Sequence, residues 1–562
     1  MVILLAYPCF LDPRVDDEDI RSPPIGLFYV AAALKERGHV VAVRNWYDLR
    51  DRAEAIESEL RAVRPRIVGV SIVHANRWGG IDIARIAKRV DPAVTTVFGG
   101  VGATNLWSHL LENFPEIDYV VLGEGEAAMV ELSARIEAGD FSGAATVSGI
   151  AGHRGGKPVR NSARRLIPDL DELPMPARHY DLPHLALTRG CVSDCTFCGS
   201  PALWGRRVRS HSADYFVAQL AELHRRGRRL VHVSDDTFTL NRRRALEVCR
   251  RIVDQGLGEV SWTAISRVDA VDEEVLAWMR RAGCIQISYG VESGSAEIRR
   301  RLNKEITDAQ IRQAFDLTQR YGIMARAYFI YGCPGESSAT IRESVELMRA
   351  IRPLGAVFYI LDLFPGTALY DEIQQRLGLN DDIWLERVED IMYFQTDPAL
   401  TAEMVLEFGR TLRHAFYSNL GSFVEALDPV DDPGLRHLHA DFFSRLAMTF
   451  HQGDYARVEA IADKPRLADV LYRRALRHHP HPRAYLGLGL LRQVEGRFED
   501  AIRILEEGLG HFPHECPLKI CSAVCRMNLE RYAEALSLLR DCAGEPEAER
   551  LAEVCRRAVG RS

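Results

Sequence analysis

The sequence predicts an α/β protein in three parts: an N-terminal doubly wound parallel sheet, a central partial (β/α)6 barrel and a C-terminal all-α repeat region. Apolar runs alternate with amphipathic stretches up to about residue 140, and again from 184 to about 372. That rhythm belongs to parallel sheets with helical crossovers. Beyond residue 400 the apolar positions keep a helical period, and small residues return every 33–34 positions. A chain of 562 residues is too long for one core. It divides into 1–140, a linker at 141–183, the barrel at 184–399, a helical connector at 400–450 and repeats at 451–562.

In the first part, strands are expected at 2–7, 40–43, 67–73, 95–100 and 119–123, with helices at 27–35, 81–90 and 126–138. The run 67–73 is too continuously apolar to be half exposed. Ser71, Gly99, Gly100, Gly123 and Gly125 fall just after strand ends, where such sheets bind ligands. Each glycine is equally a turn former, and the residues alone leave both roles open. The linker is assigned from Gly155, Gly156, five prolines from Pro158 to Pro183 and the lack of sustained periodicity. Six barrel strands follow at 185–188, 230–234, 260–265, 285–289, 325–331 and 357–361, where eight would close the ring. In the last part, Ala468, Ala475 and Pro480 are answered by Ala501, Gly508 and Pro513, and Ala535 lies 34 positions after Ala501. This resembles tetratricopeptide repeats, which bind partners, cap a catalytic domain or aid dimerisation.

A formal net charge of −7 argues against a nucleic-acid partner. No apolar run is long enough to span a membrane. The first eight residues lack a basic n-region and a cleavage site, so they are expected to form a strand, and the chain to be cytoplasmic. Of the 12 cysteines three are crowded, which in a reducing compartment favours metal binding over disulfides.

The crowded set is Cys191-x-x-x-Cys195-x-x-Cys198, after the turn Thr188-Arg189-Gly190. Thiolates suit iron–sulfur clusters. Three on one loop hold three irons of a cubane and leave the fourth open to chelate an amino and a carboxylate group. A structural zinc would want a fourth Cys or His. His211 is the nearest downstream histidine and lies too far along the chain. The spacing, with Phe197 before the last cysteine, resembles the signature of the radical S-adenosylmethionine (SAM) superfamily. That resemblance covers roughly 184–375 and implies a SAM site along the strand ends. Asp235 and Asp236 would meet the methionine amino group, where charge-assisted bonds hold an amine well. Ser266 and Arg267 would face its carboxylate. Glu292, in Gly290-Val291-Glu292-Ser293-Gly294, would accept from the ribose hydroxyls. Tyr331 and Pro365 would border adenine.

Ahead of such a barrel, the doubly wound part resembles the cobalamin-binding domain of a radical SAM subgroup, on Pro23-Pro24-Ile25-Gly26-Leu27, Gly99-Gly100 and Leu122-Gly123-Glu124-Gly125-Glu126. The resemblance implies cobalamin contacts at Ser71, Val73, His74, Gly99, Gly100, Gly123, Glu124 and Glu126. The chain has no D-x-H-x-x-G motif, and Gly102 stands where the subgroup often has histidine. No protein imidazole is therefore indicated beneath the cobalt in the usual way. His74 could approach the corrin or be an ordinary loop histidine. Cys9 and Cys333 are expected to pack, and Cys516, Cys521 and Cys525 to be small core residues of a repeat rather than a second cluster.

The implied cofactors are a [4Fe–4S] cluster, SAM and cobalamin. The implied reaction is reductive SAM cleavage with methylation of an unactivated carbon. The alternative within the same fold is oxidative cyclisation or ring rearrangement, as in anaerobic porphyrin-ester cyclases. Methylthiotransferases carry a second cysteine triad, and here only Cys9 is available. A non-enzymatic scaffold is opposed by the intact cysteines, Glu292 and Asp235-Asp236. Implied partners are a small-molecule or peptide substrate and an electron donor such as flavodoxin or ferredoxin. The repeats add a surface for a protein partner or self-association. No catalytic side chain beyond these ligands is singled out.

Overall fold

The computed structural model describes residues 1–12 and 21–559. The N-terminal sheet has the order β2-β1-β3-β4-β5-β6-β7: β1 Val2–Tyr7, β2 Val40–Asn45, β3 Ile67–Ser71, β4 Thr95–Gly99, β5 Tyr119–Val121, β6 Ile150–Arg154 and β7 Lys157–Arg160. The first five are parallel. Strand order reverses at β1, between β2 and β3, and opens a crevice at the carboxyl ends. The region expected as a linker is corrected in part. Its residues 150–160 form an antiparallel hairpin that extends the sheet beyond β5. Periodicity missed it because β7 is short, half exposed and built from charged residues and a proline, as an edge strand tolerates.

The central sheet has six parallel strands in sequential order: β8 His184–Leu185, β9 Leu230–Val233, β10 Ser261–Ser266, β11 Cys284–Glu292, β12 Met324–Tyr331 and β13 Gly355–Ile360. Along β12 burial alternates residue by residue, so Arg326, Tyr328 and Ile330 face the lumen while Ala325, Ala327, Phe329 and Tyr331 face the helices. Helices enter with side-chain caps. Thr307 with Gln310 and Ser337 with Thr340 form capping boxes that satisfy backbone donors otherwise left open.

After the last barrel helix, Ala368–Leu377, the chain returns to the N-terminal sheet and is fastened there. Arg77 donates to the carbonyls of Trp384 at 3.3 Å, Glu386 at 3.2 Å and Glu389 at 2.8 Å. Trp78 Nε1 donates to the Glu386 carbonyl at 2.8 Å, and Arg387 pairs with Asp82 at 2.6 Å. Trp384 is fully buried there.

The C-terminal helices Lys464–His478, Phe498–His511 and Tyr532–Arg540 open at a 34-residue interval, each followed by a second helix. Ala468, Ala501 and Ala535 are buried at the helix contacts. One continuous apolar core joins the N-terminal sheet, the barrel and the helices as far as Leu491; smaller cores hold the last helices. No described helix is long and apolar enough to cross a membrane.

Candidate functional site

Two openings lie at the carboxyl ends of the two sheets. The barrel opening encloses about 670 Å³, including space open to solvent, and is lined by Cys191, Cys195 and Cys198. Its other walls carry Phe197, Asp236, Ser266, Arg267, Glu292, Lys304 and Tyr328. The Ser193 amide donates to Cys191 Sγ at 3.5 Å. Burial pushes the Cys195 thiol up, and the Cys198 thiol up to about 11. Arg267 and Lys304 supply positive charge next to the sulfurs. Arg267 is steered by Asp269, at 2.7 Å, and by the Ser193 hydroxyl.

Glu292 accepts from Lys304 Nζ at 2.7 Å, with both side chains about nine-tenths buried. It sits at a bulge where pairing of β11 with β12 shifts register, and its φ is +62°. A left-handed backbone is unusual for a glutamate, and such conformations cluster at functional sites. A Cβ at Gly290 would stand 2.4 Å from Glu292 Oε1 and 2.8 Å from Lys304 Nζ, so a side chain there would displace the pair.

Of the two adjacent aspartates, only Asp236 faces this cavity, accepting from the Ser200 hydroxyl at 2.7 Å. Asp235 is turned inward and is 1% exposed. It accepts from the Leu187 amide at 2.7 Å and the Thr188 hydroxyl at 2.8 Å, bracing the chain just before the cluster loop. Burial raises its carboxyl to about 7. Tyr331 is also displaced from its expected place. It lies on the helix face of β12, with Arg413 donating to its hydroxyl at 3.3 Å. Tyr328, three residues earlier and on the lumen face, lines the cavity instead. Pro365 lies at the domain boundary, where its carbonyl accepts from Asn105 Nδ2 at 2.8 Å.

The second opening is an apolar cleft holding about 1040 Å³, again including space open to solvent. Ser71, Val73, Gly99, Gly100, Gly123, Glu124 and Glu126 all line it, and Gly26 and Leu27 join them from the first helix. Arg189, Leu203 and Trp204 reach it from the barrel. Arg189 donates to Glu124 at 2.7 Å and Glu126 at 2.6 Å and lies over the Tyr29 ring at 4.9 Å. Arg209 adds a second cation to Glu124 at 2.9 Å. Glu126 Oε2 is buried without a hydrogen-bond partner.

His74 is the exception and a correction to its expected approach to the corrin. Its Nε2 points away from the cleft, to Asp362 at 2.8 Å and Asp390 at 3.2 Å. Gly102 also gains a reason: a Cβ there would lie 2.4 Å from the Val73 carbonyl carbon. His211 is far from any sulfur role, stacked on Tyr29 and Tyr215 and bonded to Asp171 at 3.2 Å.

The site roles of Lys304, Tyr328, Arg189 and Trp204 were not foreseen from the sequence, where Arg189 figured only as a turn residue. Lys304 and Arg189 sit among many arginines and lysines, and only the fold selects them. Tyr328 could have been found from the period-two alternation of β12.

The family model of the radical SAM superfamily matches residues 185–348, and that of the B12 binding domain matches 20–133. An uncharacterized methyltransferase of Pyrococcus horikoshii is 31% identical over 62% of this chain and 78% of its own. The anaerobic magnesium-protoporphyrin IX monomethyl ester cyclase of Rubrivivax gelatinosus is 29% identical over 64% of this chain and 68% of its own. Among solved structures, the fold is shared with the radical SAM methyltransferase TsrM of Kitasatospora setae, holding cobalamin and a [4Fe-4S] cluster. It matches with a TM-score of 0.60 at 19% identity, over 85% of this chain and 98% of that one.

Proposed function

The chain belongs to the radical SAM superfamily, in the branch that carries a B12-binding domain, and we propose that it methylates an unactivated carbon of its substrate. It is an enzyme whose cofactors are a [4Fe-4S] cluster, SAM and cobalamin. The observation that carries the proposal is one short segment shared by both openings. Arg189, Leu203 and Trp204 border the cleft, while Cys191 to Pro201 border the barrel cavity. Two cofactors seated there face one another across that segment, as transfer between them requires.

The donor sets fit. Three thiols on one loop, opposite Arg267 and Lys304, suit an anionic cluster with one iron left for SAM. Metal binding displaces the protons that burial keeps on Cys195 and Cys198. The buried Glu126 Oε2 offers an acceptor for a corrin side-chain amide, and the glycines let backbone approach a large flat ligand. When bound, the cluster supplies the electron that splits SAM, and cobalamin carries the methyl group. The remaining work belongs to side chains. Asp236 binds the methionine amino group, Ser266 and Arg267 orient its carboxylate, and Glu292 accepts from the ribose. Phe197 and Tyr328 exclude water. Val73 and its apolar neighbours face the corrin without an imidazole.

Val192, 44% exposed on the cluster loop, gives a reduced flavodoxin or ferredoxin an approach to the cluster. A reducing cytoplasm suits twelve free cysteines. The C-terminal repeats offer their surface to a protein partner or a second copy. The deciding experiment is anaerobic turnover with methyl-labelled SAM. Label in a new carbon-bound methyl is expected. Deoxyadenosine without methyl transfer would favour the cyclisation that the Rubrivivax relative's name describes.

Glu292→Ala is expected to keep the cluster but weaken SAM binding by ~1.5–3 kcal/mol, the usual worth of a hydrogen bond to a charged group. Asp236→Ala should act in the same direction. Asp235→Asn should lower the melting temperature and leave affinity unchanged, since Asp235 faces the fold rather than the cavity. Titration calorimetry and thermal melts separate the three; an affinity loss confined to Asp235→Asn would reverse the two aspartates' roles.

A further inference from the structure

His74, Asp362 and Asp390 meet at the seam between the two cofactor domains, outside both openings. Their side chains are 10%, 14% and 5% exposed. His74 comes from the loop after β3, Asp362 lies two residues beyond β13, and Asp390 belongs to the returning segment that Arg77 and Trp78 grip. Phe364 packs on the imidazole at 4.6 Å and Trp384 meets it edge-on at 5.6 Å. Arg77 donates to the His74 carbonyl at 3.0 Å, and its charge lies in the field of both carboxylates.

Both sides of this contact lead directly to a cofactor site. Val73, the neighbour of His74, lines the cleft. The preceding Ile72 is held by its amide donating to the Gly99 carbonyl at 2.9 Å and its carbonyl accepting from the Gly102 amide at 3.1 Å. On the other side, the loop 361–369 bonds through Pro365 to Asn105, and through the Leu369 amide to the Thr196 carbonyl at 2.9 Å. Thr196 lies inside the cysteine loop. The loop 361–369 is therefore a spacer with the cysteine loop at one end and the floor of the cleft at the other.

We propose that His74 is a positioning residue: clamped between Asp362 and Asp390, it fixes the separation of the cleft and the barrel cavity and so keeps SAM cleavage coupled to product formation. Burial alone would depress the imidazole, but the charge of Asp362 and hydrogen bonds to both aspartates more than reverse this and raise it to about 9. The clamp thus stays charged at neutral pH. Imidazole and two carboxylates are also ligand types for a divalent metal. Here Nε2 donates to Asp362 and lies 3.2 Å from Asp390, and the Arg77 guanidinium disfavours a further dication.

The inference rests on the reading that both openings hold cooperating cofactors, and its test has one arm independent of that. His74→Ala and the near-isosteric Asp362→Asn are compared with the unaltered holoenzyme. Hydrogen–deuterium exchange of peptides covering 72–76 and 361–369 should quicken in both variants, with or without cofactors. Cluster and cobalamin content and total 5′-deoxyadenosine should stay near the unaltered level. The ratio of deoxyadenosine to product should rise about tenfold or more, because small misplacements of reacting groups cost orders of magnitude. If His74→Ala does not fold, Asp362→Asn decides alone. A lowered melting temperature with an unchanged ratio would make the contact merely structural and overturn the proposal. So would unchanged exchange, or a stoichiometric non-iron metal that disappears in His74→Ala. If the unaltered protein retains no cobalamin, the cofactor reading fails, while the exchange arm still judges the clamp.

Discussion

Replacing any one of Cys191, Cys195 or Cys198 with alanine is expected to remove the iron–sulfur absorption and all reductive cleavage of SAM. The three thiols line one cavity and no other cysteine borders it. Two thiolates cannot hold a cubane that already leaves one iron for the cosubstrate. The effect should be all-or-none, because the cluster is what supplies the electron for cleavage. The fold should survive. The loop is also held by the Thr196 amide on the Leu302 carbonyl at 3.0 Å and by Asn303 on the Asp194 carbonyl at 2.7 Å, contacts that need no metal. Absorption after anaerobic reconstitution and chromatographic assay of 5′-deoxyadenosine check this. A triple Cys→Ala protein that still made deoxyadenosine would refute the assignment.

Gly26→Trp should abolish cobalamin retention and spare the cluster. Gly26 borders the cleft in the first turn of the helix Ile25–Glu36. A Cβ there meets nothing within 4 Å, and its φ is not among the positive ones, so an indole can be added without backbone strain. The added ring would occupy the space that a corrin needs. Reconstitution with hydroxocobalamin and gel filtration give the readout. Full retention would move the corrin away from the first helix. With its own benzimidazole displaced, cob(II)alamin bound by the unaltered protein should show no nitrogen superhyperfine splitting in its paramagnetic resonance spectrum, since His74 Nε2 is already engaged by Asp362 and Asp390.

Much of this was legible in the sequence, for physical reasons. β1 and β3 are nearly continuous apolar runs, and the six barrel strands keep apolar residues at least at alternate positions, so all were visible, with their ends set by glycines and polar residues. The cysteine spacing is local and survives any error in tertiary placement. The residues that misled did so where local order says little about direction. Asp235 and Asp236 are adjacent, and one turns toward the fold while the other faces the cavity. Tyr331 and Tyr328 differ in strand parity, which a strand-end rule ignores. His74 was read from its own loop, whereas its partners lie 288 and 316 positions away. Long-range pairing of single charges leaves no periodic trace.

The shared apolar core has a thermal consequence. Because it runs from the first strand to Leu491, the barrel, the sheet face packed on it and the connector helices are expected to unfold as one block, although the outer wall of the cleft has a core of its own. The helices beyond, held by small nearest-neighbour cores as in repeat arrays, can fray from the free end without disturbing that block. The two cofactor domains are therefore expected to lose their packing in one thermal transition, with the last helices loosening at a lower temperature, which amide exchange followed on heating would resolve.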